Sequence, residues 1–152
     1  MQWWIDEPVL LGSHNPTTQE LEALYRAGCR TIISLLDETE QGPHYDPGAV
    51  QALGYQRYTI PIRDYQTPTL DQIRHFLLLV EQAALRGQVI VHCQAGLGRT
   101  GTMGAAYWIV RGLSVEQAIT RVRQGNPGAV VTTEQERSLA AWAAAMGGSE
   151  AE

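Results

Sequence analysis

The sequence predicts an α/β fold, a small, mostly parallel sheet flanked by helices, on three observations. Short β-branched or apolar runs such as 31–36 and 89–91 show little alternation, as strands buried on both faces do. Helix starts bearing capping boxes lie between and after these runs. From residue 99 onward the pattern is helical, apart from the turn at Asn126-Pro127-Gly128. Strands that alternate with helices bury their apolar faces by layering, which is the α/β arrangement.

Taken in chain order, residues 3–5 and 9–11 are short strand candidates. Thr17 with Glu20 opens a first helix that Gly28 stops, and residues 31–36 follow as a buried strand. Residues 55–60 alternate more strongly and form a further strand. Thr69 with Gln72 opens the clearest helix, in which Leu70, Ile73, Leu77, Val80 and Ala84 recur at helical spacing before Gly87 ends it. Residues 89–91 are the next strand, and boxes at Ser114 with Gln117 and Thr133 with Glu136 start later helices. No repeat or linker divides the chain, so residues 1–152 are expected to form a single domain.

The formal charge of −5 provides no basic footprint, so neither nucleic acid nor an anionic membrane is an expected partner. Every one of the 11 basic residues is arginine. Apolar runs such as 76–80 are far too short to span a bilayer, and the first residues lack the basic and apolar regions of a secretion signal. The default expectation is a cytoplasmic monomer. Two cysteines and four histidines without ligand spacing imply no disulfide framework, no metal and no cofactor.

The chemistry is concentrated in residues 92–100, His-Cys-Gln-Ala-Gly-Leu-Gly-Arg-Thr, where a buried strand meets a helix. An α/β fold places ligand sites at such carboxyl ends of strands. Gly96 and Gly98 let the backbone curl so that amide N–H groups converge, and a nest of this kind before a helix N-terminus holds an anion. Cys93, at the head of the nest, would feel the same amides, which favour thiolate over thiol. Arg99 can wrap back and offer two phosphoryl oxygens a planar fork that lysine lacks. Thr100 places a hydroxyl near the sulfur, suited to a thiolate leaving group, and His92 is expected to orient the loop rather than act as a base.

A departing alkoxide needs a proton, and a carboxylic acid on a loop is the usual source. Asp64 lies between Pro61 and Pro68, after a strand and before the helix at Thr69. A lone loop aspartate is more often a turn residue. Asp37, Glu38 and Asp46 compete for the role.

These residues resemble the signature of the protein tyrosine phosphatase superfamily, His-Cys-x-x-Gly-x-x-Arg followed by Ser or Thr. The chain is most similar to its small atypical dual-specificity members of the VHZ type. The likeness extends over residues 28–35, the acid loop and helix of 62–73, the helix after Arg99, and 126–136. It implies the dual-specificity phosphatase-like fold. It also implies Cys93 as nucleophile, Arg99 with the amides of 94–99 as phosphate seat, and Asp64 as acid and then base. Arg63 stands where relatives often have proline. Gln135 falls where relatives carry polar residues, although a plain helix residue is the simpler expectation.

The expected substrate is a phosphorylated protein or small phosphoester, phosphotyrosine with phosphoserine or phosphothreonine. Uncharged Gln94, Ala95 and Leu97 favour one phosphate over several. Phosphoinositide or nucleotide hydrolysis, thiol-dependent reduction and phosphate binding without turnover are the alternatives. Cys29 begins its strand whereas Cys93 follows the end of another, so parallel strands would hold them beyond disulfide reach. Trp3, Trp4, Trp108 and Trp142 are expected to pack, His75 and His44 to lie at the surface, and His44 with Tyr45 to be near the pocket.

Overall fold

Four parallel strands bring their carboxyl ends to one edge of a five-stranded sheet, and the loops that matter leave from that edge. The computed structural model describes residues 1–150. Its strands are β1 (Gln2–Asp6), β2 (Leu10–Ser13), β3 (Cys29–Leu36), β4 (Gln56–Ile62) and β5 (Gln88–His92). They lie in the order β1-β2-β5-β3-β4, with β1 antiparallel to β2 and the remaining pairs parallel. The register sets Ser13, His92 and Ser34 level across the three central strands. The loops after β2, β3, β4 and β5 therefore leave side by side.

Helices cover both faces. On one, α1 (Thr18–Ala27) and α2 (Pro47–Leu53) bury Leu21 and Val50 with Ile32 and Ile90. On the other, α3 (Leu70–Ala83), α4 (Gly98–Val110), α5 (Val115–Gly125) and α6 (Thr133–Glu150) enclose a larger core. Ile33, Leu35, Val89 and Val91 meet Phe76, Met103 and Tyr107 there. Neighbours on a strand thus serve opposite cores, which is why residues 31–36 lack alternation.

Capping boxes at Thr17–Glu20, Thr69–Gln72 and Ser114–Gln117 form as expected. The last differs by one residue. Gln135 N–H bonds Thr132 Oγ1, and Gln135 Oε1 accepts from Thr132 N–H and Val131 N–H, so the box is Thr132–Gln135 rather than Thr133–Glu136. Helix α2 is additional to the sequence reading. Its signal was Asp46 before Pro47, since Asp46 Oδ1 accepts from the amides of Gly48 and Ala49 and proline suits the first helical position. Strand β4 runs on to Ile62, so the following loop starts at Arg63.

Cys29 pairs with Gln88 at the amino ends of β3 and β5, whereas Cys93 follows the carboxyl end of β5. Both thiols are free and buried, and burial pushes the Cys29 thiol up to about 11. This agrees with an inert packing role for Cys29.

Candidate active site

Loop 93–97 connects β5 to α4 at the middle of the sheet edge. Its carbonyls are held from outside. Trp3 Nε1–H donates to Gly96 O at 2.9 Å, Asn15 N–H to Gln94 O at 2.9 Å, and Val130 N–H to Leu97 O at 3.2 Å. In a trans peptide the C=O and the next N–H point opposite ways. Anchoring these three carbonyls outward therefore turns the N–H groups of Ala95, Leu97 and Gly98 into the hollow of the loop. Leu97 occupies the cap position of α4 without a side-chain cap, which leaves the first-turn amides open to an anion.

Two glycines are obligatory for local reasons. Gly96 has φ +79°, and a Cβ there would come within 2.6 Å of His14 N. A Cβ on Gly101 would come within 2.7 Å of Val130 N, so its absence lets α4 approach the segment before α6.

Cys93 is 2% exposed, and Thr100 Oγ1 donates to its Sγ at 3.1 Å. Arg99 is 1% exposed, yet its guanidinium reaches the cleft. Nη1 donates to Ile62 O at 2.9 Å and Nη2 to Gln41 Oε1 at 3.0 Å, while Asp64 Oδ1 is 3.2 Å from Nη2. Asp64 thus joins Cys93 and Arg99 in lining a cleft of about 340 Å³, with Tyr65, Gln94, Ala95, Leu97, Gly98, Val131 and Gln135.

The competing carboxylates are employed elsewhere. Asp37 accepts from Thr39 N–H and Oγ1–H and pairs with Arg63 at 3.5 Å, Glu38 binds Arg57 at 2.7 Å, and Asp46 caps α2. Arg63 is largely exposed and turned to Asp37, so the cation next to Asp64 in sequence is drawn away from it.

His92 sits behind the loop and is wholly buried. A chain of donors fixes its tautomer. Arg57 can only donate, and its Nε–H bonds Tyr45 Oη at 2.8 Å. The Tyr45 hydroxyl hydrogen then goes to His92 Nε2 at 2.9 Å, which leaves the ring proton on Nδ1, facing Cys93 O at 3.3 Å. Burial, with the nearby Arg57 and Arg99 charges, pushes His92 down to about 3, so the ring is neutral. Tyr45 therefore supports the loop from the core instead of flanking the pocket, and His44 and His75 are exposed as expected.

Gln135 corrects a sequence expectation. It is 1% exposed and lines the cleft rather than lying on the outside of its helix. Among the described residues, the two non-glycine residues with positive φ, Tyr65 (63°) and Val130 (61°), stand beside this same cleft. Such conformations are costly, and a β-branched residue at positive φ is a marked outlier. They present Tyr65 and Val131, both more than half exposed, at its mouth. Sequence reasoning also missed Gln41, Asn15 and the loop-holding role of Trp3. None lies in a motif, and each acts through a contact distant in sequence.

Residues 9–113 match the family described as "Polymorphic toxin system, DSP-PTPase phosphatase". Protein tyrosine phosphatase domain-containing protein 1 of Mus musculus is 31% identical over 151 residues, covering 87% of this chain and 20% of that protein. The tyrosine-protein phosphatase CDC14 homolog of Schizosaccharomyces pombe is 34% identical over 95 residues, 62% of this chain and 18% of that one. The chain spans about a fifth of the length of the curated relatives it matches. Among solved structures, Tk-PTP in its active form superposes with a TM-score of 0.82 at 31% identity, covering 92% of this chain and 94% of that one. Human DUSP28, at 22% identity, shares the fold with a TM-score of 0.78 over 95% of this chain and 94% of its own.

Proposed function

The chain belongs to the tyrosine and dual-specificity phosphatase family, and from that premise we propose that it hydrolyses phosphomonoesters of proteins in two steps through a phosphocysteine. Phosphotyrosine is the main substrate, with phosphoserine and phosphothreonine also accepted. The observation that carries this reading is the meeting of Cys93, Arg99 and Asp64 in one cleft, with the Thr100 hydroxyl 3.1 Å from the sulfur.

In the first step the Cys93 thiolate attacks phosphorus, the P–O bond to the leaving group breaks, and Asp64 gives its proton to the departing oxygen. Arg99 and the inward amides of the loop hold the phosphoryl oxygens as negative charge builds on them. In the second step Asp64 takes a proton from water as that water attacks phosphorus. The P–S bond breaks, and Thr100 Oγ1–H stabilises the returning thiolate. Inorganic phosphate leaves, and His92 holds the loop without exchanging a proton.

The cleft wall supports a singly phosphorylated substrate. Among its lining residues Arg99 is the one cation, and Tyr65, Ala95, Leu97 and Val131 give it an apolar character that suits an aryl or peptide group better than a polyphosphate.

Turnover of p-nitrophenyl phosphate with chelator present, by wild type and by Cys93→Ser, is the test. The expected result is turnover in the wild type and its loss in the variant. Equal rates, or a strict metal requirement, would overturn the proposal. A panel of phosphopeptides, nucleotides and phosphoinositides then ranks substrates, and faster turnover of multiply phosphorylated lipids would displace the protein reading.

A further inference from the structure

The loop after β3 delivers a neutral side chain between the two charged groups of the cleft. Gln41 Oε1 accepts from Arg99 Nη2 at 3.0 Å, and its Nε2–H donates to Asp64 Oδ2 at 3.2 Å. Chemistry fixes the orientation of this amide, since a guanidinium can only donate and an ionised carboxylate can only accept.

The loop itself is pinned at both ends. Asp37 O accepts the N–H groups of Glu40 and Gln41, and the Asp37 carboxylate accepts from Thr39. At the far end Asn15, 1% exposed, donates to Gly42 O and accepts from His44 N–H. The same Asn15 Nδ2 bonds Gln94 Oε1 in the phosphate loop, so both loops are built on one buried amide. Next to Gln41, Glu40 Oε1 accepts Asp64 N–H at 2.8 Å and holds the backbone of the acid loop.

We infer that Gln41 is a positioning residue for the proposed reaction, one that acts through Asp64 by deciding which of its oxygens carries the transferred proton. Oδ1 accepts from Tyr65 N–H at 3.0 Å and faces Arg99 Nη2 at 3.2 Å, whereas Oδ2 is held by Gln41. When a phosphoryl group takes Nη2, each oxygen keeps one donor, Tyr65 N–H on Oδ1 and Gln41 on Oδ2, and the lone pair that Arg99 vacates on Oδ1 is the one facing the phosphate. The proton then belongs on Oδ1, the oxygen on the phosphate side. A neutral amide does this without opposing protonation, as a lysine or arginine in its place would through charge.

This inference rests on the phosphatase reading, and the experiment separates the two. kcat/KM is measured on p-nitrophenyl phosphate and on phenyl phosphate, whose leaving group is poorer, for wild type, Gln41→Ala, Gln41→Leu, Asp64→Ala and the Gln41→Ala/Asp64→Ala pair. Both Gln41 variants should lose about tenfold more on phenyl phosphate than on p-nitrophenyl phosphate, the size expected when contacting residues are coupled. The double variant should match Asp64→Ala alone on both esters. Inhibition by inorganic phosphate reports that the Cys93 loop is still folded. Equal losses on both esters, additive losses in the double variant, or no loss at all would overturn the role of Gln41 while leaving Cys93-dependent turnover intact. Absence of Cys93-dependent turnover in the wild type would overturn both readings together.

Discussion

Asp64 Oδ1 lies 3.2 Å from Arg99 Nη2, so the carboxylate faces the side of the guanidinium that a phosphoryl oxygen would occupy. The proposed acid and the proposed phosphate clamp are paired with one another in this structure. In the proposed reaction, binding exchanges one anion for another at the same cation, which frees Asp64 from Arg99 to act as the acid.

Asp64→Ala therefore has two opposite effects. Without the acid, turnover of esters with poor leaving groups should fall by about 10² to 10⁴, and the alkaline limb of the pH profile should vanish. With the competing carboxylate gone, inhibition by inorganic phosphate should strengthen. Steady-state kinetics on a series of aryl phosphates, with phosphate as inhibitor, checks both effects. If alanine at Asp37 or at Glu38 produces that pattern instead, Asp64 is not the acid.

Trp3 Nε1 to Gly96 O, at 2.9 Å, ties the first strand to loop 93–97. Phe at position 3 keeps the aromatic packing but leaves a buried carbonyl without its donor, at a cost of about 1–3 kcal/mol. Tm should fall by about 2–4 °C for each kcal/mol. A freed peptide no longer holds the Leu97 N–H inward, so the inhibition constant for inorganic phosphate should rise as well. Unchanged Tm and unchanged phosphate inhibition in Trp3→Phe would refute the link.

His92 makes stability depend on pH. Burial pushes it down to about 3 in the fold, while an unfolded histidine titrates near about 6.5. Between those values the unfolded chain binds more protons, so stability rises with pH through the window. Its full value is present above the unfolded pKa and is lost as pH falls toward the folded one. From pH 7 to pH 5 this residue should cost about 2 kcal/mol. Urea unfolding of wild type and His92→Gln at both pH values measures it, and equal pH slopes for the two proteins would show that His92 is not the source.

Local signals were legible where a side chain acts on its own neighbourhood. Thr17, Thr69 and Ser114 each cap a helix through a partner three residues further on, because a capping box closes between positions i and i+3. The run from His92 to Thr100 was legible for the same reason, since the proposed nucleophile, the proposed clamp and the hydroxyl all lie on one short stretch of chain. At Thr132 and Thr133, two adjacent residues could open the box, and burial of Gln135 in the cleft selected the first.

Contacts between distant loops left no such mark. Asp64, Gln41 and Arg99 come from loops after β4 and β3 and from α4, and Trp3 comes from β1. They converge because β2, β3, β4 and β5 run parallel and empty their loops over one edge. The sequence by itself determined the α/β class, the nest of 92–100 and the chemistry those residue types allow, through local backbone geometry and side-chain identity. Only the tertiary structure decided that Asp37, Glu38 and Asp46 are committed elsewhere, that Arg63 turns away, and that Gln41 stands between Asp64 and Arg99. Those outcomes depend on strand order and register, which set distances between residues that the chain itself keeps far apart.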